Sequence, residues 1–179
     1  TTEIYTLSLH DALPIFDVFA LSKKPVVWQG KMQMTSDSIY AIIKNSKIQT
    51  VYAIKIWGLL NGEYSFLINN SDSTFENRYD QISGKKISIF FENEKINFVK
   101  VDSTSNGLYF AYEDRKANGL NIFEGENMVI YFDTAQKVNK VKIEKDPVGK
   151  YVPENLISTV NTNLPGFYIR RDKPYKKSN

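Results

Sequence analysis

The stretch "QMTSDSIYAIIKNSKIQTVYA" (residues 33–53) lies over "QISGKKISIFFENEKINFVKV" (residues 81–101) without a gap. Gln33 then falls on Gln81, Ile39 on Ile87, Asn45 on Asn93, Lys47 on Lys95, Ile48 on Ile96 and Val51 on Val99, at a constant offset of 48. A third copy is "FEGENMVIYFDTAQKVNKVKI" (residues 123–143). There Gly125 falls on Gly84, Met128 on Ile87, Phe132 on Phe91 and Asp133 on Glu92 at offset 41; after one inserted residue, Val141 falls on Val99 at offset 42. Each copy reads strand, polar turn, strand. The turn pairs Asn45-Ser46 and Asn93-Glu94 suit tight hairpins, because Asn tolerates positive φ.

Within each copy the apolar residues recur with period two. Ile39, Ala41 and Ile43 share one face, as do Ile87, Ile89 and Phe91, and Met128, Ile130 and Phe132. Such alternation in β-branched and aromatic runs marks half-buried antiparallel strands. Repeats of this length are units that cannot bury their apolar faces alone and must stack. The fold class is therefore all-β: an elongated open β-jellyroll of stacked antiparallel hairpin repeats, expected over residues 16–160. A short helical turn is expected at "PENLIST" (residues 153–159), and a basic C-terminal tail over residues 161–179, whose stretch "GFYIRRDKPYKKSN" (residues 166–179) is expected to fray rather than to meet anionic lipid headgroups or a partner. The expected interior is Ile39, Ala41, Ile43, Ile87, Ile89, Phe91, Met128, Ile130 and Phe132. Return strands add Ile48, Val51, Ile96, Val99, Val138, Val141 and Ile143.

The chain has 179 residues, 42% of them hydrophobic and 13% aromatic, enough for a packed core. Having no cysteine, it forms no disulfide and offers no thiolate nucleophile or metal ligand. Its net charge of +3 is spread thinly, as a solvated surface requires. No G-x-S-x-G elbow, G-x-G-x-x-G or Walker loop occurs. The carboxylate pairs Glu92/Glu94, Glu113/Asp114 and Glu124/Glu126 fall in or beside turns, where charge serves solvation. No catalytic residue, metal site or cofactor is expected. Aromatics interleaved with lysine, as in "YAIKIWG" and "GLYFAYEDRKANG", have the form of base-stacking platforms. In a repeat-built sheet they read better as core or lining residues, so no nucleic-acid partner is expected. Trp28 and Trp57 are expected at the rim or in the core.

The first copy resembles the OstA-like family, related to the lipopolysaccharide-transport component LptA. Its residues are P-V-x-W at Pro25, Val26 and Trp28, then Gln33, Thr35, Ser36, Asp37 and Ile39, then Asn45, Lys47 and Ile48. The second copy keeps Gln81, Ser83, Gly84, Ile87, Asn93, Lys95 and Ile96, with Lys85 in place of Asp37. The G-F-x-x-R pattern at Gly166, Phe167 and Arg170 is similar to the close of long family members, so the chain reads as a C-terminal part. The resemblance spans residues 16–174. It implies a non-enzymatic periplasmic module of outer-membrane biogenesis whose apolar trough holds the acyl chains of lipopolysaccharide. It implies strand-edge pairing with other jellyroll modules of a bridge between inner and outer membranes. The alternative is a scaffold or capping module with a closed core and no ligand.

"TTEIYTLSLHDALPI" (residues 1–15), which holds the only histidine, His10, lies outside the repeats and the resemblance. Codons for all of these residues read like a common short-read sequencing adapter. The stretch is read as a translated adapter, excluded from the fold, with the true start and any signal peptide unread. It is expected to pack loosely and join no repeat.

Overall fold

The computed structural model describes residues 5–6, 16–55, 64–70, 74–75, 77–114 and 116–170. They form one antiparallel sheet of 13 strands. In chain order these are β1 (Tyr5–Thr6), β2 (Phe16–Ser22), β3 (Val26–Gln29), β4 (Met32–Thr35), β5 (Ser38–Lys44), β6 (Lys47–Ile54) and β7 (Ser65–Asn69). There follow β8 (Asp80–Gly84), β9 (Lys86–Glu92), β10 (Lys95–Glu113), β11 (Lys116–Phe132), β12 (Val138–Glu144) and β13 (Val148–Pro153). Trp57 lies outside the described residues, as do most of residues 1–15. Tyr5 and Thr6 pair with Ala20 and Phe19 of β2, outside the three repeats.

The sheet curls into two walls joined by the long strands β10 and β11, an open β-jellyroll. The first wall runs β2-β5-β6-β9-β10-β11-β12, and the second runs β3-β4-β7-β8-β10-β11-β13. The bend falls where β10 shifts register against β11, between Asp102 and Ser105. Left-handed residue pairs sit at these corners: Lys23-Lys24 between β2 and β3, Ser103-Thr104 within β10, and Lys145-Asp146 between β12 and β13. The opposite strands pass the corner at Ser36, Gly84 and Gly125, the same position in all three copies. A Cβ at Gly84 would stand 2.3 Å from Val101 Cγ1, and one at Gly125 2.4 Å from Ile143 Cγ2. Ser36, where the first copy has a side chain, instead shares a hydrogen bond of 2.8 Å with Ser65.

The hairpin turns are as expected. Asn45 and Ser46 have φ of 50° and 60°, and Asn93 and Glu94 have 50° and 64°. Two consecutive left-handed residues make the turn whose twist matches paired strands. Less visible in the sequence is a β-bulge repeated in every copy. Pairing passes from Ile43↔Ile48 to Ile42↔Thr50, from Phe91↔Ile96 to Phe90↔Phe98, and from Phe132↔Val138 to Tyr131↔Lys140. Gln49, Asn97 and Asn139 are the extra residues. In an unbroken strand Ile48 and Val51, three apart, would face opposite ways. The bulge absorbs one residue and returns both to the same face of the sheet.

Both walls contribute to one core. Ile39, Ala53, Ile87, Val101 and Met128 from the first pack with Met34 and Leu67 from the second. Burial falls off along each strand away from the corner. Ile87 and Ile89 are buried, Phe91 half-buried and Glu92 exposed. The walls are thus closed at the corners and splayed at the hairpin turns.

A second core lies on the outer face of the second wall: Phe66, Ile68, Leu108, Phe110, Leu120 and Val152, capped by Leu164. The expected helical turn is a 3-10 helix, Glu154–Thr159. Arg78 fastens it, donating from Nη1 to Glu154 Oε2 at 2.9 Å, with its guanidinium 4.7 Å from the Phe75 ring centre. Residues 161–170 include the start of the stretch expected to fray, Gly166 to Arg170, which is instead held with the rest. They lie along this outer face because two buried glutamines of the repeats hold their backbone.

Candidate functional site

Between the splayed walls is a cavity of about 630 Å³, open on one side. That is within the ~300–1,000 Å³ span of ligand sites. Register shows how the walls are built. On the first wall one unbroken row reads Phe19, Ala41, Val51, Ile89, Val99, Ile130 and Val141, each paired with the next. A deeper row, at the corners, reads Leu21, Ile39, Ala53, Ile87, Val101, Met128 and Ile143. Every member of both rows is apolar, so this wall carries no hydrogen-bonding side chain over two layers.

The second wall is layered differently. Its deep row, Val27, Met34, Leu67, Ile82, Gly107 and Phe123, is apolar. Gly107 is needed there, because the Phe123 ring occupies the space a Cβ would take. Two residues further along every strand, at the mouth, the row becomes Gln29, Met32, Asn69, Asp80, Tyr109 and Asn121, all lining the cavity. Asp80 is anchored, its Oδ1 accepting from the Phe110 backbone N–H at 2.9 Å. Burial chiefly, and secondarily the Asp80 carboxylate, push the Tyr109 hydroxyl above its ordinary value.

The expected interior residues divide along this gradient. Ile96, Ile130, Phe132, Val138, Val141 and Ile143 line the cavity. Ile39, Val51, Ile87, Ile89, Val99 and Met128 are buried in the packed part, with Ala41 and Phe91 against it. Ile43 is half-buried and Ile48 is 43% exposed, both beside the first hairpin turn. The second wall's share, Met32, Leu67, Ile82 and Phe123, went unread in the sequence because its strands are short and carry no clean repeat. Among the described residues no cluster of three or more metal-ligating side chains occurs, and no helix is long and apolar enough to cross a membrane. The ion pairs Lys100–Asp102, Lys142–Glu144 and Lys145–Glu126 are solvent-facing, of the kind worth little individually.

Fold and site together define an all-β open jellyroll with a one-sided apolar trough. No protein-family model matches the chain, and no curated protein matches it. A solved structure similar to it is that of LptH, described as the LptA-homologous periplasmic component of the conserved lipopolysaccharide transport device from Pseudomonas aeruginosa. The two share 18% identity with a TM-score of 0.46, over 86% of this chain and 95% of that one.

Proposed function

We propose that this chain is a non-enzymatic, periplasmic module of lipopolysaccharide transport that holds acyl chains in its trough. The carrying observation is the open cavity against a first wall whose two inner rows are entirely hydrocarbon. A closed jellyroll would bury those rows against each other. Here Phe132, Val138 and Val141 instead face an unfilled space. Each acyl methylene moved from water to such a wall is worth about 0.8 kcal/mol, enough to hold chains that water rejects. The motif resemblance around Pro25–Ile48 and Gln81–Ile96 supports the choice of lipopolysaccharide. In this reading the module joins its neighbours through strand edges such as β12, which pairs only with β11.

The scaffold reading draws on the corner side, where Ala53, Ile87, Val99, Val101 and Met128 are fully buried and leave no room for a ligand. Adjacent residues of one strand separate the two readings. Phe132 lines the cavity, whereas Tyr131 is 37% exposed on the outer face. A photo-reactive benzoyl-phenylalanine at position 132 is expected to capture lipopolysaccharide on irradiation, and one at position 131 is not. Equal capture at both, or none at 132, would leave the scaffold.

A further inference from the structure

The two lips of the trough differ in chemistry, and the difference is regular. On the first wall the inward-facing pairs at the mouth are hydrocarbon, Phe91 with Ile96 and Phe132 with Val138, and polar groups enter only at the β11–β12 turn and the bulge, at Gln136, Asn139 and Lys140. On the second wall the mouth row is Gln29, Met32, Asn69, Asp80, Tyr109 and Asn121, above a deep row with no polar side chain. The row crosses six strands. Period-two alternation explains why these residues face inward; that five of the six bear hydrogen-bonding groups, where the paired inner rows of the first wall bear none, needs a further reason. Gln29 is exposed and Asn69, Asp80, Tyr109 and Asn121 are half-buried, so the row is solvated at the mouth and can exchange water for the hydroxyls and amides of a ligand.

We infer that the mouth row of the second wall is a recognition strip for the hydroxyl- and amide-bearing part of an acylated amphiphile, with its chains laid on the opposite, hydrocarbon wall. The inference rests on the carrier reading and adds to it the class of headgroup and its orientation. Gln29, Asn69 and Asn121 each offer a carboxamide, which both donates and accepts. Tyr109 offers a hydroxyl, which both donates and accepts, and lines the cavity. Asp80 adds the row's one charge, and it is negative. A phosphate at this level would meet that carboxylate, so the strip selects hydroxyls and amides over phosphates. Phosphate groups of a bound lipid are directed away from the second wall, towards solvent.

Two amphiphiles of equal chain length test this: dodecyl maltoside, with a hydroxyl headgroup, and dodecyl phosphate. Both are titrated calorimetrically as monomers into the full chain. Maltoside is expected to bind about tenfold more tightly, roughly 1.4 kcal/mol. Asn69→Leu with Asn121→Leu, which keep side-chain size, is expected to erase the preference while leaving alkyl binding in place. Asp80→Asn keeps an acceptor for Phe110 and is expected to raise dodecyl phosphate affinity severalfold. Binding of both amphiphiles with no preference, unchanged in the variants, overturns the strip and spares the carrier reading. Binding of neither overturns both.

Discussion

The side-chain amide of Gln33 pairs with the backbone of Arg170 as a strand would. Its Nε2 donates to the Arg170 carbonyl at 2.7 Å, and its Oε1 accepts the Arg170 N–H at 3.0 Å. Gln81, the same position one repeat later, does the equivalent for another part of the segment. It donates to Thr162 O at 2.9 Å and accepts from Leu164 N at 2.8 Å. Both glutamines are buried, and they point away from the trough. Two copies of one repeat residue thus fasten residues 161–170 over the second core.

Removing one clamp leaves buried backbone groups without partners. Gln81→Leu is expected to cost about 1–3 kcal/mol, the penalty for an unsatisfied buried donor and acceptor. Chemical denaturation measures the loss. Amide hydrogen exchange at Leu164 is expected to accelerate by the matching factor, while that at Ile87 follows global stability alone. Equal acceleration at both would mean that the segment is not separately held.

The corner glycines carry steric, not functional, weight. Gly84→Ala is expected to destabilise by about 1–3 kcal/mol through overpacking against Val101. Gly84→Ala with Val101→Ala should recover part of that loss, because the clash is with Val101 Cγ1. Thermal unfolding of the two single variants and the double variant checks the coupling. Simple additivity would place the strain elsewhere.

Charge in the trough separates binding from folding. Val141 lines the cavity and is 38% exposed. Val141→Asp is expected to shift stability by no more than about 0.5 kcal/mol, as a surface substitution does. Affinity for an acylated amphiphile should fall about tenfold, since a carboxylate replaces hydrocarbon contact worth about 0.8 kcal/mol per methylene. Ile89→Asp, at 3% exposure in the same row, is expected to unfold the chain instead. Melting curves beside binding isotherms distinguish the two.

The Arg78–Glu154 pair predicts an acid-sensitive contact. The hydrogen bond from Arg78 holds the Glu154 carboxyl below its usual value, and the same bond raises the Arg78 guanidinium, which stays charged. A lowered folded value means the pair's stability is full above the unfolded glutamate value of about 4.3 and is lost as pH falls through the folded value. Wild type is therefore expected to exceed Glu154→Gln by a constant margin at neutral pH. The margin should shrink below about pH 4. Denaturant midpoints at pH 7, 5 and 3 measure it. A margin unchanged at pH 3 would remove the ion pair from the account.

The repeats, the period-two faces and the left-handed hairpin turns were legible in the sequence, because each depends on residues a few positions apart. Ile39 and Ile87 announce an inner face by their neighbours, and Asn45 and Asn93 announce a turn by their tolerance of positive φ. Three other features depend on partners far along the chain and came only with the tertiary structure. The bulges at Gln49, Asn97 and Asn139 are a property of pairing, not of any one strand. Residues 161–170 carry no period-two pattern, yet they are held against the sheet because Gln33 and Gln81 wait for them 137 and 83 positions upstream. The polar residues of the mouth row come singly from five strands, so no window of sequence contains them. Local chemistry decided that this chain makes strands. Which wall each strand joins, and which level of the trough each side chain reaches, was decided by register across the sheet.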